Sequence, residues 1–183
     1  MHLLKHFSGE PNINSVRFVD VLREVDEECS RWVKRYDLIG DIAIVTIPSE
    51  IEERKRVIAS AIVRHNPRVK TVLRKLGGVS GEERVCTYEI LFGHSTQTMH
   101  RESGCVFYVD PTKVYFSPKM SEERRRLAKI VGDKEDILCG FAGIGPFPIV
   151  IGKMTNANIT AVEKGDLAFE FLERNVRING MDD

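Results

Sequence analysis

The sequence predicts an α/β protein, a small α+β module followed by the first part of a Rossmann-like domain. Two observations predict it. Asp136-Ile137-Leu138-Cys139-Gly140-Phe141 and Ile159-Thr160-Ala161-Val162-Glu163 are short apolar runs joined by a Gly143-Ile144-Gly145 turn and a helical stretch. Strand, glycine turn, helix, strand is one βαβ unit, the opening of a doubly wound sheet. Ahead of it a helical stretch is flanked by strand-like runs, with two more runs to follow, the pattern of a compact α+β module.

Taken in order, residues 1–35 are polar and acidic, with a helix expected from about Val16 to Val33 and no role assignable. Ile42-Ala43-Ile44-Val45-Thr46-Ile47 reads as a buried strand ended by Pro48. Ser49 with Glu52 forms an expected capping box, and Ile51, Ile58, Ala61 and Ile62 keep helical spacing to about Arg64. Strands are expected at Val69–Leu73, Arg84–Phe92 and Cys105–Val109. Gly77-Gly78, Gly81 and the stretch from Gly93 to Gly104 separate them as turns. Ser117-Pro118 is a strong helix start and Gly132 a stop. After the glycine turn a helix is expected to about Lys153, and a last one from Leu167 to Asn179. The expected units are therefore residues 1–35, 36–116 and 117–183.

Composition excludes several classes. Hydrophobic residues are 42% and charged residues 30% of the 183, enough apolar material for a packed core. No apolar run approaches membrane-spanning length, and the N-terminus lacks the pattern of a signal peptide. The four cysteines are scattered without a CxxC pair, so no metal site is expected and the thiols fit a reducing cytoplasm. Net charge is zero but uneven: Arg54 to Lys75 holds eight Lys or Arg and no acid, whereas residues 1–50 carry nine acids against six bases. That asymmetry fits a face that meets a polyanion, and equally a solvated helix whose counter-charges lie elsewhere.

Two constellations carry chemistry. Gly143-Ile144-Gly145 at a helix start lets a nucleoside cofactor lie against bare backbone. The third glycine of a dinucleotide fingerprint is absent, so no pyrophosphate is expected. Glu163, twenty residues on, ends the second strand, where a carboxylate accepts from both ribose hydroxyls. The alternative is a structural turn and a surface glutamate. In the helix from Pro118 to Val131, Met120, Leu127, Ile130 and Val131 define an apolar face, and Glu123 and Arg124 lie within about 60° of its centre. A carboxylate held partly out of water there has its pKa raised towards the range of a general base, or else pairs with Arg124.

Together these residues resemble the archaeal and eukaryotic tRNA (guanine(37)-N1)-methyltransferase family. The resemblance rests on Tyr36-Asp37-Leu38-Ile39-Gly40-Asp41-Ile42-Ala43-Ile44, Gly81-Glu82-Glu83-Arg84-Val85, Thr98 to Cys105, Lys113-Val114-Tyr115-Phe116-Ser117-Pro118, Glu123-Arg124 and Phe141-Ala142-Gly143-Ile144-Gly145-Pro146-Phe147, in family order. It implies a tRNA-side module and a Rossmann-like, S-adenosylmethionine-dependent methyltransferase domain acting on the anticodon loop of tRNA. By the same resemblance Glu123 matches the general base and Arg84 an arginine near the target base. Arg124, Glu163 and Lys164 match cofactor contacts, beside Gly143 and Gly145 of the turn.

The departures are specific. Cys139 stands where the family usually has aspartate, Arg84-Val85-Cys86 replaces a frequent Arg-x-Arg, and Gly165-Asp166 replaces Asn-Pro. The family's later strands, its acid at the adenine and its Asn-Pro-like motif are not in this sequence, so a chain truncated before the C-terminal part of the catalytic domain and inactive alone is expected. The rival readings are aminocarboxypropyl transfer in wybutosine synthesis, by a related enzyme using the same cofactor, and a non-catalytic tRNA-binding fragment.

Overall fold

Asp26 ends one helix and begins the next. Where the sequence predicts a single helix over 16–33, the computed structural model, which describes residues 16–80 and 85–181, has α1 (Phe18–Val25) and α2 (Glu27–Trp32). The Asp26 carboxylate accepts from the Cys29 N–H as the N-cap of α2, and its extended backbone breaks the helical run. Phe18, Val21 and Leu22 of α1 are buried at i, i+3 and i+4 spacing. Phe18 and Leu22 share a core with Ile58, Ala61 and Ile62 of α3 (Lys55–His65). The segment left without a role by sequence is thus a wall of the first core.

That core backs one face of a four-stranded sheet in the order β1 (Asp37–Ile39), β2 (Ile42–Val45), β3 (Thr71–Ser80), β4 (Val85–Phe92). β2 and β3 run parallel, joined through α3, and the other pairs are antiparallel. Ala43, Val45 and Val72 face the helices, and by strand alternation Ile44 and Lys75 face the other way. The expected capping box is absent. Ser49 Oγ turns to Glu50, Glu52 is taken by Arg74 of β3, and residues 49–54 form a 3-10 turn ahead of α3. The buried Arg74 guanidinium, between Glu52 and Glu89, needs those carboxylates more than the helix end does.

A hairpin of β5 (Thr98–Glu102) and β6 (Cys105–Val109) follows. β5 lies where the sequence predicts a turn region, because its periodicity is inverted: Met99 is exposed, while Thr98 is buried and His100 and Glu102 are half-buried. The buried side chains also regroup the expected units. Cys105, Phe107, Val109, Val114 and Phe116 pack with α4 (Ser121–Ile130), α5 (Pro146–Met154) and α6 (Asp166–Ile178), and with Ile39 of β1, so this second core runs across the expected boundary at 116. Asn175 of α6 and Asn179, which caps its C-terminus, hold the hairpin in place. The Asn175 amide bridges Tyr108 N–H and C=O and also donates to Ile144 C=O, and the Asn179 amide bridges Val106 N–H and C=O. Side-chain amides thus satisfy a strand edge that would otherwise lie unpaired.

The βαβ unit matches its expectation. β7 (Asp136–Gly140) and β8 (Asn158–Val162) pair in parallel from Asp136↔Asn158 to Gly140↔Val162, with α5 between them in sequence. The apolar face expected for the preceding helix is rotated. In α4, Arg124 and Ala128 are buried, whereas Ile130 is 66% exposed and Met120, just ahead of the helix, is also exposed.

Candidate functional site

The carboxyl ends of β7 and β8 meet at the glycine turn. Phe141 leaves β7 with φ 55°, an uncommon conformation for a non-glycine residue, and its ring is 95% exposed beside the turn. The Ala142 N–H donates to Val162 C=O, tying the turn to β8, and Pro146 begins α5. The two glycines answer different demands. At Gly145 (φ 90°) a Cβ would lie 2.5 Å from Leu172 Cδ1 and 2.9 Å from Ile149 Cδ1, so close packing against α6 and α5 requires glycine. At Gly143 (φ 57°) the conformation favours glycine and a Cβ would meet nothing within 4 Å, which leaves the backbone open to approach.

Glu163 sits beneath this turn, as expected. Its Oε2 accepts the Gly143 N–H at 2.7 Å, and Oε1 accepts the N–H groups of Lys164 and Gly165 at 2.9 and 2.8 Å. Burial pushes its carboxyl pKa up, but the donors from Gly165, Gly143 and Lys164 outweigh burial and hold it below the ordinary carboxylate value. The sign then sets a pH window. A folded pKa lower than the unfolded one stabilises above the ordinary value, about 4.3, and that contribution is lost as pH falls through the lower folded value. The NMR shift of the Gly143 amide proton is therefore expected to stay constant from neutral pH to about 5 and to move only below about 4. A midpoint near 6 would show that the donors do not control this carboxylate.

Arg124 is brought to the same region from below. Its side chain, 2% exposed, forms a two-pronged ion pair with Glu102 of β5 at 2.5 and 2.8 Å and also donates to Ser117 C=O. The guanidinium lies 5.3 Å from the Phe116 ring centre and 5.7 Å from that of Phe147 in the first turn of α5. His100 extends the network. Its Nδ1 accepts the Gly40 N–H, which places the proton of a neutral ring on Nε2, facing Glu102 Oε2 at 3.4 Å. Glu102 and His100 were missed by sequence reasoning; their alternation on β5 with exposed Met99 and Arg101 was the available signal.

Glu123 is half-buried and pairs with Arg126, one turn on, at 2.7 and 2.8 Å. The expected rise in its pKa is corrected: the Arg126 hydrogen bonds hold it below the ordinary carboxylate value, because the partner is a cation in contact rather than an apolar surface. The expected pairing alternative is also corrected, since Arg124 turns inward to Glu102. Lys164 is exposed beside Glu163, and Arg84 lies outside the described residues. Among the described residues no group of three His, Cys, Asp or Glu could hold a metal ion, and no helix is long and apolar enough to cross a membrane.

The basic stretch resolves into ion pairs. Arg54 pairs with Asp26 and Glu28, Lys55 with Glu89, Arg64 with Glu24, Lys70 with Asp41, and Arg74 with Glu52 and Glu89. The counter-charges do lie elsewhere in the sequence, largely in the acidic N-terminal part, and most of this stretch is a neutralised face.

Residues 98–183 match the model of the TRM5/TYW2 methyltransferase domain, and residues 19–96 that of the TYW2 N-terminal domain. The chain is 37% identical over 162 residues to the tRNA(Phe) (4-demethylwyosine(37)-C(7)) aminocarboxypropyltransferase of Pyrococcus horikoshii, covering 88% of this chain and 58% of that protein. It is 36% identical over 157 residues to the tRNA (guanine(37)-N(1))-methyltransferase Trm5b of Pyrococcus abyssi, covering 85% and 47%. The chain thus spans about half the length of these relatives. The solved complex of aTrm5 and tRNALeu superposes with a TM-score of 0.81 at 31% identity, covering 98% of this chain and 55% of that one.

Proposed function

The chain belongs to the TRM5/TYW2 family, and from that premise we propose that it binds S-adenosylmethionine at the glycine turn and serves methyl transfer to N1 of guanosine 37 in the anticodon loop of a cytoplasmic tRNA. One observation carries the cofactor assignment: Glu163 is locked by three backbone N–H groups at the strand ends, under a Gly143 backbone that faces open space. The residues fit the group. A carboxylate oxygen accepts about two hydrogen bonds, so Oε1 is filled by Lys164 and Gly165, while Oε2 takes the Gly143 N–H and keeps room for a ribose hydroxyl. Gly143 and Gly145 keep side chains out of the approach.

The bound cofactor supplies an electrophilic methyl group on its sulfonium. Guanine N1–H is a weak acid, so a base must remove that proton for the N1 lone pair to attack carbon. Glu123 is the proposed base. Arg126 keeps it ionised at neutral pH, the state from which a base must start. Arg84 is the proposed cation for charge developing on O6. Arg124 is assigned to the cofactor end of the site through Phe147, with Lys164 beside Glu163.

A second reading has its own support. The match of residues 19–96 to the TYW2 N-terminal domain and the 37% identity to an aminocarboxypropyltransferase favour transfer of the other sulfonium substituent, to a tricyclic base at position 37. Two radiolabels separate the readings. Label from the cofactor methyl reaching tRNA, with none from its carboxyl, is the expected result for methyl transfer. Label from the carboxyl alone would establish the second reading, and tRNA binding without either label would leave a non-catalytic tRNA-binding protein.

A further inference from the structure

A run of hydrogen bonds joins the first sheet to the start of α5. Gly40, in the turn between β1 and β2, approaches β5 as only glycine can. Its φ is 56°, and a Cβ there would lie 2.2 Å from Thr98 Oγ1 and 2.7 Å from Met99 C=O. The Asp41 N–H donates to Thr98 Oγ1, whose hydroxyl donates back to the Asp41 carboxylate. So keyed, the turn presents the Gly40 N–H to His100 Nδ1 at 3.2 Å. The imidazole packs edge-on against Phe116, with ring centres 5.0 Å apart, and its Nε2 faces Glu102. Glu102 takes Nε and one N–H of Nη2 of Arg124, and Ser117 C=O takes the other N–H of Nη2. Nη1 is left as the one guanidinium nitrogen without a hydrogen-bond partner among the described residues, close to Phe147 and the glycine turn that precedes it.

We infer that Glu102 and His100 are positioning residues for the cofactor site: they hold Arg124 so that Nη1 remains for an oxygen of bound S-adenosylmethionine. The ligand end of this inference rests on the function proposed above, whereas the ordering of Arg124 is read from the network itself. An arginine side chain is long and freely rotating, and Glu123, its neighbour in sequence, is another carboxylate it could take. The two-pronged grip of Glu102 fixes both the place and the plane of the guanidinium. Glu102 needs fixing in turn. The Gly40 N–H holds the proton of a neutral His100 ring on Nε2, and that N–H faces Oε2 of the carboxylate. Because Glu102 also neutralises the cation, Nη1 offers aimed N–H donors more than bare charge. Such donors select one well-placed oxygen rather than any passing anion.

Two amides separate the two ends of the imidazole. In His100→Asn the amide oxygen stands in for Nδ1 and keeps the Gly40 bond. In His100→Gln the longer side chain puts an N–H where Nε2–H was and keeps the contact with Glu102. Equilibrium dialysis with labelled S-adenosylmethionine is expected to show about fivefold weaker binding in His100→Asn, and restoration to within about twofold of the parent in His100→Gln. Melting temperature is expected to rank the two the other way, because it follows the Gly40 bond that ties the sheet to β5. Glu102→Gln can accept from only one of Nε and Nη2, and is expected to weaken binding at least about tenfold. Without cofactor, the Arg124 Nε–Hε NMR signal is expected to be protected from exchange in the parent and in His100→Gln. It should exchange faster in His100→Asn and be lost in Glu102→Gln. Affinity that falls in step with melting temperature across these variants, or an Arg124 signal indifferent to them, would overturn the inference. A parent that binds no cofactor while its Arg124 signal is protected would refute the cofactor assignment instead, and the signal comparison then decides the positioning by itself.

Discussion

Replacing Glu102 with alanine is expected to cost about 3–5 kcal/mol of folding stability, the cost of leaving one member of a buried ion pair uncompensated. The Arg124 guanidinium cannot reach water, since its side chain is 2% exposed, and the faces of Phe116 and Phe147 do not neutralise a cation. Three parts of the chain meet on this pair: the Gly40 turn through His100, the start of α4 through Ser117, and the first turn of α5 through Phe147. A lower urea midpoint with an unchanged slope is the expected signature. The double variant Glu102→Leu/Arg124→Leu is expected to recover part of the loss, because two apolar groups need no compensation. A loss under about 1 kcal/mol in the single variant would place water at the guanidinium and remove the argument. Burial raises the Glu102 carboxyl pKa, but hydrogen bonds from His100 and Arg124 bring it below the ordinary value. The stability it contributes is therefore complete above about pH 4.3 and lost as pH falls through its lower folded value.

Glu123→Gln is expected to lower single-turnover methyl transfer about 10²–10⁴-fold, the usual contribution of a positioned general base. The amide keeps the shape and one acceptor but cannot take the N1 proton. Cofactor affinity is expected to hold, since Glu123 contacts Arg126 and not the glycine turn. A rate within about threefold of the parent would remove Glu123 from the mechanism. The low carboxyl pKa imposed by Arg126 makes a further distinction. The base is ionised across the neutral range, so its own titration cannot produce a rise in rate between pH 6 and 8.

The βαβ unit was legible because its signals are local. β7 and β8 lie within one residue of their predicted bounds, and α6 within one residue at each end. An apolar run bounded by glycine, or a Ser-Pro helix start, acts over a handful of residues and survives whatever packs around it. Glu163 was legible for the same reason: a strand end twenty residues from a glycine turn returns to it in any right-handed βαβ unit.

What stayed hidden depends on partners distant in sequence. β5 carries polar residues inward because Arg124, 22 residues on, supplies their counter-charge, so its hydrophobic alternation runs backwards. The sequence left the basic stretch open between a polyanion-facing surface and a neutralised one because its acids, Glu24, Asp26, Glu28 and Glu89 among them, arrive from α1, the α1–α2 junction, α2 and β4. The pKa direction at Glu123 turned on which of three neighbouring arginines faced inward, and helical angle alone does not settle that. The sequence by itself determined the C-terminal βαβ unit, the glycine turn and the acid beneath it, all products of backbone geometry and short-range pattern. Only the tertiary structure decided which charges were spent on one another and which remained for a ligand, because Coulomb pairing depends on distance in space and residues tens of positions apart in the chain have none until it folds.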